Sequence, residues 1–75
     1  MATRTVIMAK NDMLALITMV KSERGASITT LDPRRGHPLV KNYEPWAVVE
    51  EFRKVLRLSE ENGWRVVYDG EPLWG

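Results

Sequence analysis

The chain contains no cysteine. Disulfides and thiolate-bound metals are excluded with it, and the composition agrees with a reducing compartment. It contains one histidine, His37, so a metal site built from several imidazoles is excluded too. It lacks a long hydrophobic run. The longest, residues 13–20, is broken only by Thr18 and falls well short of the ~20 residues a membrane-spanning helix needs. That length would suit the core of a secretion signal, but Lys21-Ser22-Glu23-Arg24 follows where a small-residue cleavage site would stand. The run therefore reads as core, and the protein as cytoplasmic, with no membrane, metal or cofactor expected.

Catalytic constellations are missing as well. The five glycines make neither G-x-x-x-x-G-K-[ST] nor G-x-G-x-x-G, so no phosphate-cradling loop is written into the chain. Ser22, Ser27 and Ser59 are scattered, and none lies in a strand-turn-helix elbow that would present a nucleophile. Glu50-Glu51 and Glu60-Glu61 are adjacent pairs, which a helix points about 100° apart, so neither pair converges on a substrate. His37 sits in a proline-flanked loop with no hydroxyl or acid patterned beside it, and reads as a surface residue. These absences predict a protein that is not an enzyme.

What is present fits one small domain of 75 residues. A chain this short buries only about 60–65% of the surface it exposes when unfolded, and its stability is marginal. Small domains close that gap with disulfides, metal or self-association. The first two are excluded, and an apolar content of 44% supplies surface for the third. The net charge is only +1, yet residues 1–41 carry a balance of +4 and residues 42–75 a balance of −3. That polarity can orient a partner or pair two copies.

The clearest element is a helix over 45–62. Pro45 suits a first helical position, and Gly63 suits the left-handed residue that ends a helix. Val48, Val49, Phe52, Val55 and Leu56 fall on one face, with Glu50, Glu51, Arg53, Lys54 and Arg57 opposite. Opposite charges four apart, Glu50–Lys54 and Arg57–Glu61, support it further. Residues 64–68 then read as a strand with Trp64, Val66 and Tyr68 on one side. Asp69-Gly70 reads as a turn, after which residues 71–75 return as an arm. Pro72 confines that arm to a sheet edge.

Residues 4–9 read as a strand. Residues 13–22 fit either a helix capped by Asn11 or Asp12 and ended by Gly25, or a strand between turns at Asn11-Asp12 and Arg24-Gly25. The strand is favoured because the run is apolar on both faces at period two. Residues 26–31 make the next strand. The fold class is then α+β, a small antiparallel sheet with one amphipathic helix on one face, in the order β-β-β-α-β; the alternative is β-α-β-α-β. Residues 32–44, with two prolines and a glycine, form a long loop, and loops of that length are often functional.

Two surfaces are candidates for function. Arg34, Arg35, His37 and Lys41 cluster on the long loop, with Tyr43 and Trp46 nearby, a pattern able to hold phosphate and stack bases. The first three strands carry no aromatic residue, which counts against base stacking on the sheet. The second candidate rests on three tryptophans, Trp46, Trp64 and Trp74. Each can bury ~150–250 Å². Trp64 reads as core beneath the helix. Trp46 is turned away from the helix's apolar face, and Trp74 stands near the C-terminus, so both are candidate interface anchors. The expectation is a non-enzymatic protein-interaction module that forms a homodimer or binds another protein through Trp46, Leu58, Leu73 and Trp74. The alternative is a nucleic-acid-binding module that uses Arg34, Arg35, His37 and Lys41.

Overall fold

A two-residue turn sets the fold in motion. In the computed structural model, which describes residues 1–70 and the backbone of Leu73 and Trp74, strand β1 (Ala2–Lys10) reverses through Asn11-Asp12 into β2 (Met13–Lys21). Asn11 takes a positive φ of 54°, the left-handed conformation that asparagine tolerates best among residues with side chains. Lys10 pairs with Met13 and the ladder runs without interruption to Ala2 and Lys21. A second turn, closed by the Ser22 N–H to the Gly25 carbonyl at 2.9 Å, leads into β3 (Ala26–Leu31), antiparallel to β2. Both turns stand where the sequence places them, and residues 13–21 are strand, not helix.

The structure adds an element within the expected loop. Residues 39–43 form β4 (Leu39–Tyr43), antiparallel to β3 with Ile28 opposite Lys41. Of the expected loop, 32–38 and Glu44 remain outside the strand. Lys41 and Asn42 have poor strand propensity and hid this segment, but pairing with β3 outweighs it, as neighbours routinely outweigh propensity in sheets.

Helix α1 (Val48–Glu61) follows a turn at 45–47, so Pro45 precedes the helix rather than opening it. Glu50 and Glu51 lie in its first turn, where the helix dipole favours acid. Its ion pairs form at three-residue spacing, Arg53–Glu50 at 2.8 Å and Lys54–Glu51 at 3.5 Å, instead of the expected four. Gly63 ends it with a φ of +96°.

The helix carries the chain to the far edge of the sheet, where β5 (Arg65–Asp69) pairs with β1. The strand order is β4-β3-β2-β1-β5. A short β6 (Leu73–Trp74) also pairs with β1, Trp74 opposite Ala2. Both β5 and β6 run antiparallel to β1, so the chain does not reverse at Asp69-Gly70 as the sequence suggests. Gly70 donates its N–H to the Thr5 carbonyl at 2.8 Å and stays on the ladder.

The helix lies on one face only. Val48 and Phe52 pack on Val6, Met8, Ala15, Ile17, Met19 and Ile28 in one buried cluster, with Trp64 at its end. Val49, Val55 and Leu56 pack around it, so all five residues of the expected apolar helix face are engaged. No polar or charged residue is buried among the described residues. The fold is the expected α+β class, with a fourth meander strand before the helix.

Candidate interaction surface

One helix can cover one face of a sheet, and the other face here is open. Alternation assigns its residues. Strand β1 contributes Thr3, Thr5, Ile7 and Ala9, and β2 contributes Leu14, Leu16, Thr18 and Val20. Strand β3 adds Ser27, Thr29 and Leu31, and β4 adds Val40 and Asn42. None of these is ionisable. The charged residues of the same four strands, Arg4, Lys10, Lys21 and Lys41, all stand on the helix side. There Arg4 pairs with Asp69 at 2.7 Å, and Lys10 reaches the Asn62 carbonyl at 2.7 Å.

The open face has two halves. Toward the 22–25 turn it is lined by hydroxyls, with Thr5 and Thr18 opposite each other and their oxygens 3.4 Å apart. Toward the Asn11-Asp12 turn it is apolar. Leu14 is 63% exposed, Val40 55% and Leu31 42%. Ile7, Leu14, Leu16 and Leu31 floor a groove of about 490 Å³, walled on one side by the 32–38 loop through Pro33 and Pro38, with Asp32, Arg35 and His37 of that loop also lining it.

A bulge at β5 extends this face. Val66 stands opposite Met8, but Tyr68 stands opposite Ile7. Met8 points away from Ile7 and Ala9, so Tyr68 and Arg65, opposite Ile7 and Ala9, lie on the open face and Val66 on the helix side. The expected alignment of Trp64, Val66 and Tyr68 on one side is thereby broken by one unpaired residue, Val67. Tyr68 folds toward Gly70, where a Cβ would meet the tyrosine hydroxyl at 3.0 Å and the ring at 3.1 Å. Glycine makes room for the ring.

The basic cluster foreseen on the loop is divided. Asp32 holds Arg34 through two side-chain hydrogen bonds, 3.0 Å to Nε and 2.7 Å to Nη2, and accepts the Arg34 backbone N–H at 2.9 Å. The Arg34 hydrogen bonds hold the Asp32 carboxyl down at about 2, and the same partnership raises Arg34. The Arg34 guanidinium also lies 5.6 Å from the centroid of Trp64. Its charge is engaged within the fold. Arg35 and Lys41 share a smaller groove of about 220 Å³ on the helix side with Leu39, Tyr43 and Val55. His37 is exposed on the loop, beside the apolar groove of the other face.

The tryptophan surface is divided too. Trp64 is buried, as expected. Trp46 is 82% exposed before the helix and Leu58 is 57% exposed near its end. Ten helical residues, about 15 Å, separate Leu58 from Val48, so Trp46 and Leu58 belong to opposite ends of the helix. The backbone of Trp74 pairs at the same end as Trp46. The side chains of Leu73 and Trp74 lie outside the described residues. The residues missed by sequence reasoning are Ile7, Leu14, Leu16, Leu31 and Val40. Their signal was present: residues 13–20 are apolar at both parities, while the chain offers a single amphipathic helix to cover them.

Among the described residues, no helix is long and apolar enough to cross a membrane, and no three acidic or imidazole groups gather as a metal site. Comparison with protein families, with characterised proteins and with solved structures found no match.

Proposed function

We propose that this protein is a non-catalytic interaction module whose binding surface is the open face of the sheet. The observation that carries the reading is the segregation of charge. Every ionisable group of β1 to β4 stands on the helix side, and the opposite face presents threonine, leucine, isoleucine and valine alone apart from Ala9, Ser27 and Asn42. Exposed apolar patches of this kind mark protein interaction sites. A face to which β1 to β4 bring no ion, with Arg65 of β5 at its edge opposite Ala9, is better suited to an apolar protein surface than to phosphate, because its centre has no ion to strip of water.

The test is retention from native lysate by immobilised wild-type protein and by a Leu14→Glu/Val40→Glu variant. Both substitutions fall at exposed positions. The reading requires at least one protein, the chain's own copies included, that the wild type retains and the variant loses. Identical retained sets would overturn it.

A second reading follows from Arg35 and Lys41 on the walls of one groove beside Tyr43. Two cations over a short single-stranded nucleic acid predict an affinity that falls about sevenfold between 50 and 200 mM salt. Salt-independent binding, or none, removes that reading.

A further inference from the structure

The occupant of the open face can be argued from surface area and shape. A compact monomer of 8.6 kDa exposes about 4,700 Å². This chain exposes 5327 Å², an excess of about 600 Å² over that expectation. Two such excesses make about 1,200 Å² of total buried surface, the lower bound of standard stable interfaces. Taken over the whole chain, the excess is of the size one copy contributes at that lower bound.

We infer that the partner is a second copy of the same chain, packed sheet on sheet over the open face in a two-fold symmetric dimer. The inference rests on the reading of that face as the binding surface. Four features of the face support an identical partner. On β1 to β4 it carries no charge, so superposing those strands on themselves brings no like ions together, and Arg65 of β5, opposite Ala9, stands at the edge of the face. It is regular from β1 through β3, with ladders that continue without a bulge, and sheet faces of this kind pack about 10 Å apart with strands within about 30° of one another. It offers a self-complementary contact: Leu14, 63% exposed, shares its groove with Ile7, Leu16 and Leu31. A two-fold axis lying between the two sheets places each Leu14 against the partner's groove. Such reciprocity is what an isologous interface demands of one surface. Finally, the chain has no disulfide, and no metal cluster among the described residues. Apolar surface shared with another copy is the remaining support for so small a core.

The assembly differs from one built on Trp46. In the sheet-to-sheet dimer Trp46 lies on the outside, beside the helix N-terminus, and takes no part.

The experiment uses the purified full chain. Sedimentation or light scattering across about 1–200 μM at physiological salt should give twice the chain mass of 8.6 kDa at the upper end. Leu14→Glu, and separately Val40→Glu, should weaken the dimer at least about tenfold while circular dichroism shows an unchanged fold. Trp46→Ala should leave the dimer intact. A wild-type monomer throughout this range overturns the inference. So does a dimer that survives both face substitutions, which assigns assembly to an edge or to the helix, and so does a dimer lost in Trp46→Ala. A monomer that nonetheless retains a different protein in a Leu14-dependent way overturns the identical partner alone and leaves the reading of the face standing.

Discussion

Arg34 covers the face of Trp64, its guanidinium carbon 5.6 Å from the ring centroid. A loop residue and the last core residue before β5 are thus in contact across 30 positions of sequence, and Asp32 fixes the arginine in place. Arg34→Ala should uncover the indole. The expected outcome is a red-shifted tryptophan emission and stronger quenching by acrylamide, with the fold retained. An unchanged spectrum would show that the contact does not shield Trp64 in solution.

Acid should undo the same anchor. The Asp32 carboxyl sits at about 2 in the folded protein, against about 3.9 in an unfolded chain. A group depressed on folding stabilises the fold fully above its unfolded value and loses that contribution as pH falls toward its folded value. Asp69 is lowered by its hydrogen bonds to Arg4 and acts with the same sign. Urea midpoints should therefore fall for the wild type between about pH 4 and pH 2. The gap between wild type and Asp32→Asn should narrow over that window. A gap independent of pH would contradict the ion pair.

Phe52 and Trp46 should behave oppositely. Phe52 is 1% exposed at the centre of the cluster, and Phe52→Ala should cost about 3–5 kcal/mol. That is comparable with the whole stability of a small domain, so the variant should be largely unfolded by circular dichroism at 37 °C. Trp46→Ala removes a larger side chain from water and should change the thermal midpoint by the equivalent of about 0.5 kcal/mol or less.

The helix stop offers a backbone test. Gly63 has a φ of +96°, and the left-handed region costs a residue with a Cβ about 1–2 kcal/mol. Space does not forbid the substitution, because the nearest atom to a Cβ there is the Lys10 Cε at 3.4 Å. Gly63→Ala should therefore lower stability by that conformational cost, read as a urea midpoint, without altering the folded spectrum.

Much of this architecture is legible in the residues. Helix periodicity from Val48 to Leu56, the glycine stop, the Asn11-Asp12 turn and the apolar run of β2 lead directly to a meander with one helix. Two kinds of feature are not legible. Strand β4 has a lysine and an asparagine at its centre, and it exists because β3 offers an edge to pair with. The bulge at Val67 and the continuation past Asp69-Gly70 depend on β1 as template, which no local pattern reports. The interaction surface falls between. Its leucines and valines are visible as a strand apolar on both sides, but their openness emerges only once the single helix is assigned to one face. The tryptophans draw attention because they are large, yet Trp64 serves the core and Trp46 stands apart.

Val67 has a consequence beyond its own position. A strand sorts its side chains by parity, odd to one face and even to the other, and one residue without a partner reverses that sorting for everything after it. With regular pairing from Val66 onward, Tyr68 would stand opposite Val6, toward the helix, and Asp69 opposite Thr5, on the open face. A carboxylate would then sit at the margin of a surface that is otherwise neutral from β1 to β4, and Arg4 would lose its counterion. The extra residue moves the carboxylate to the arginine and the phenol to the open face. A single inserted peptide unit therefore decides whether the far strand adds a carboxylate or a phenol to the open face, beside the Arg65 it places there opposite Ala9.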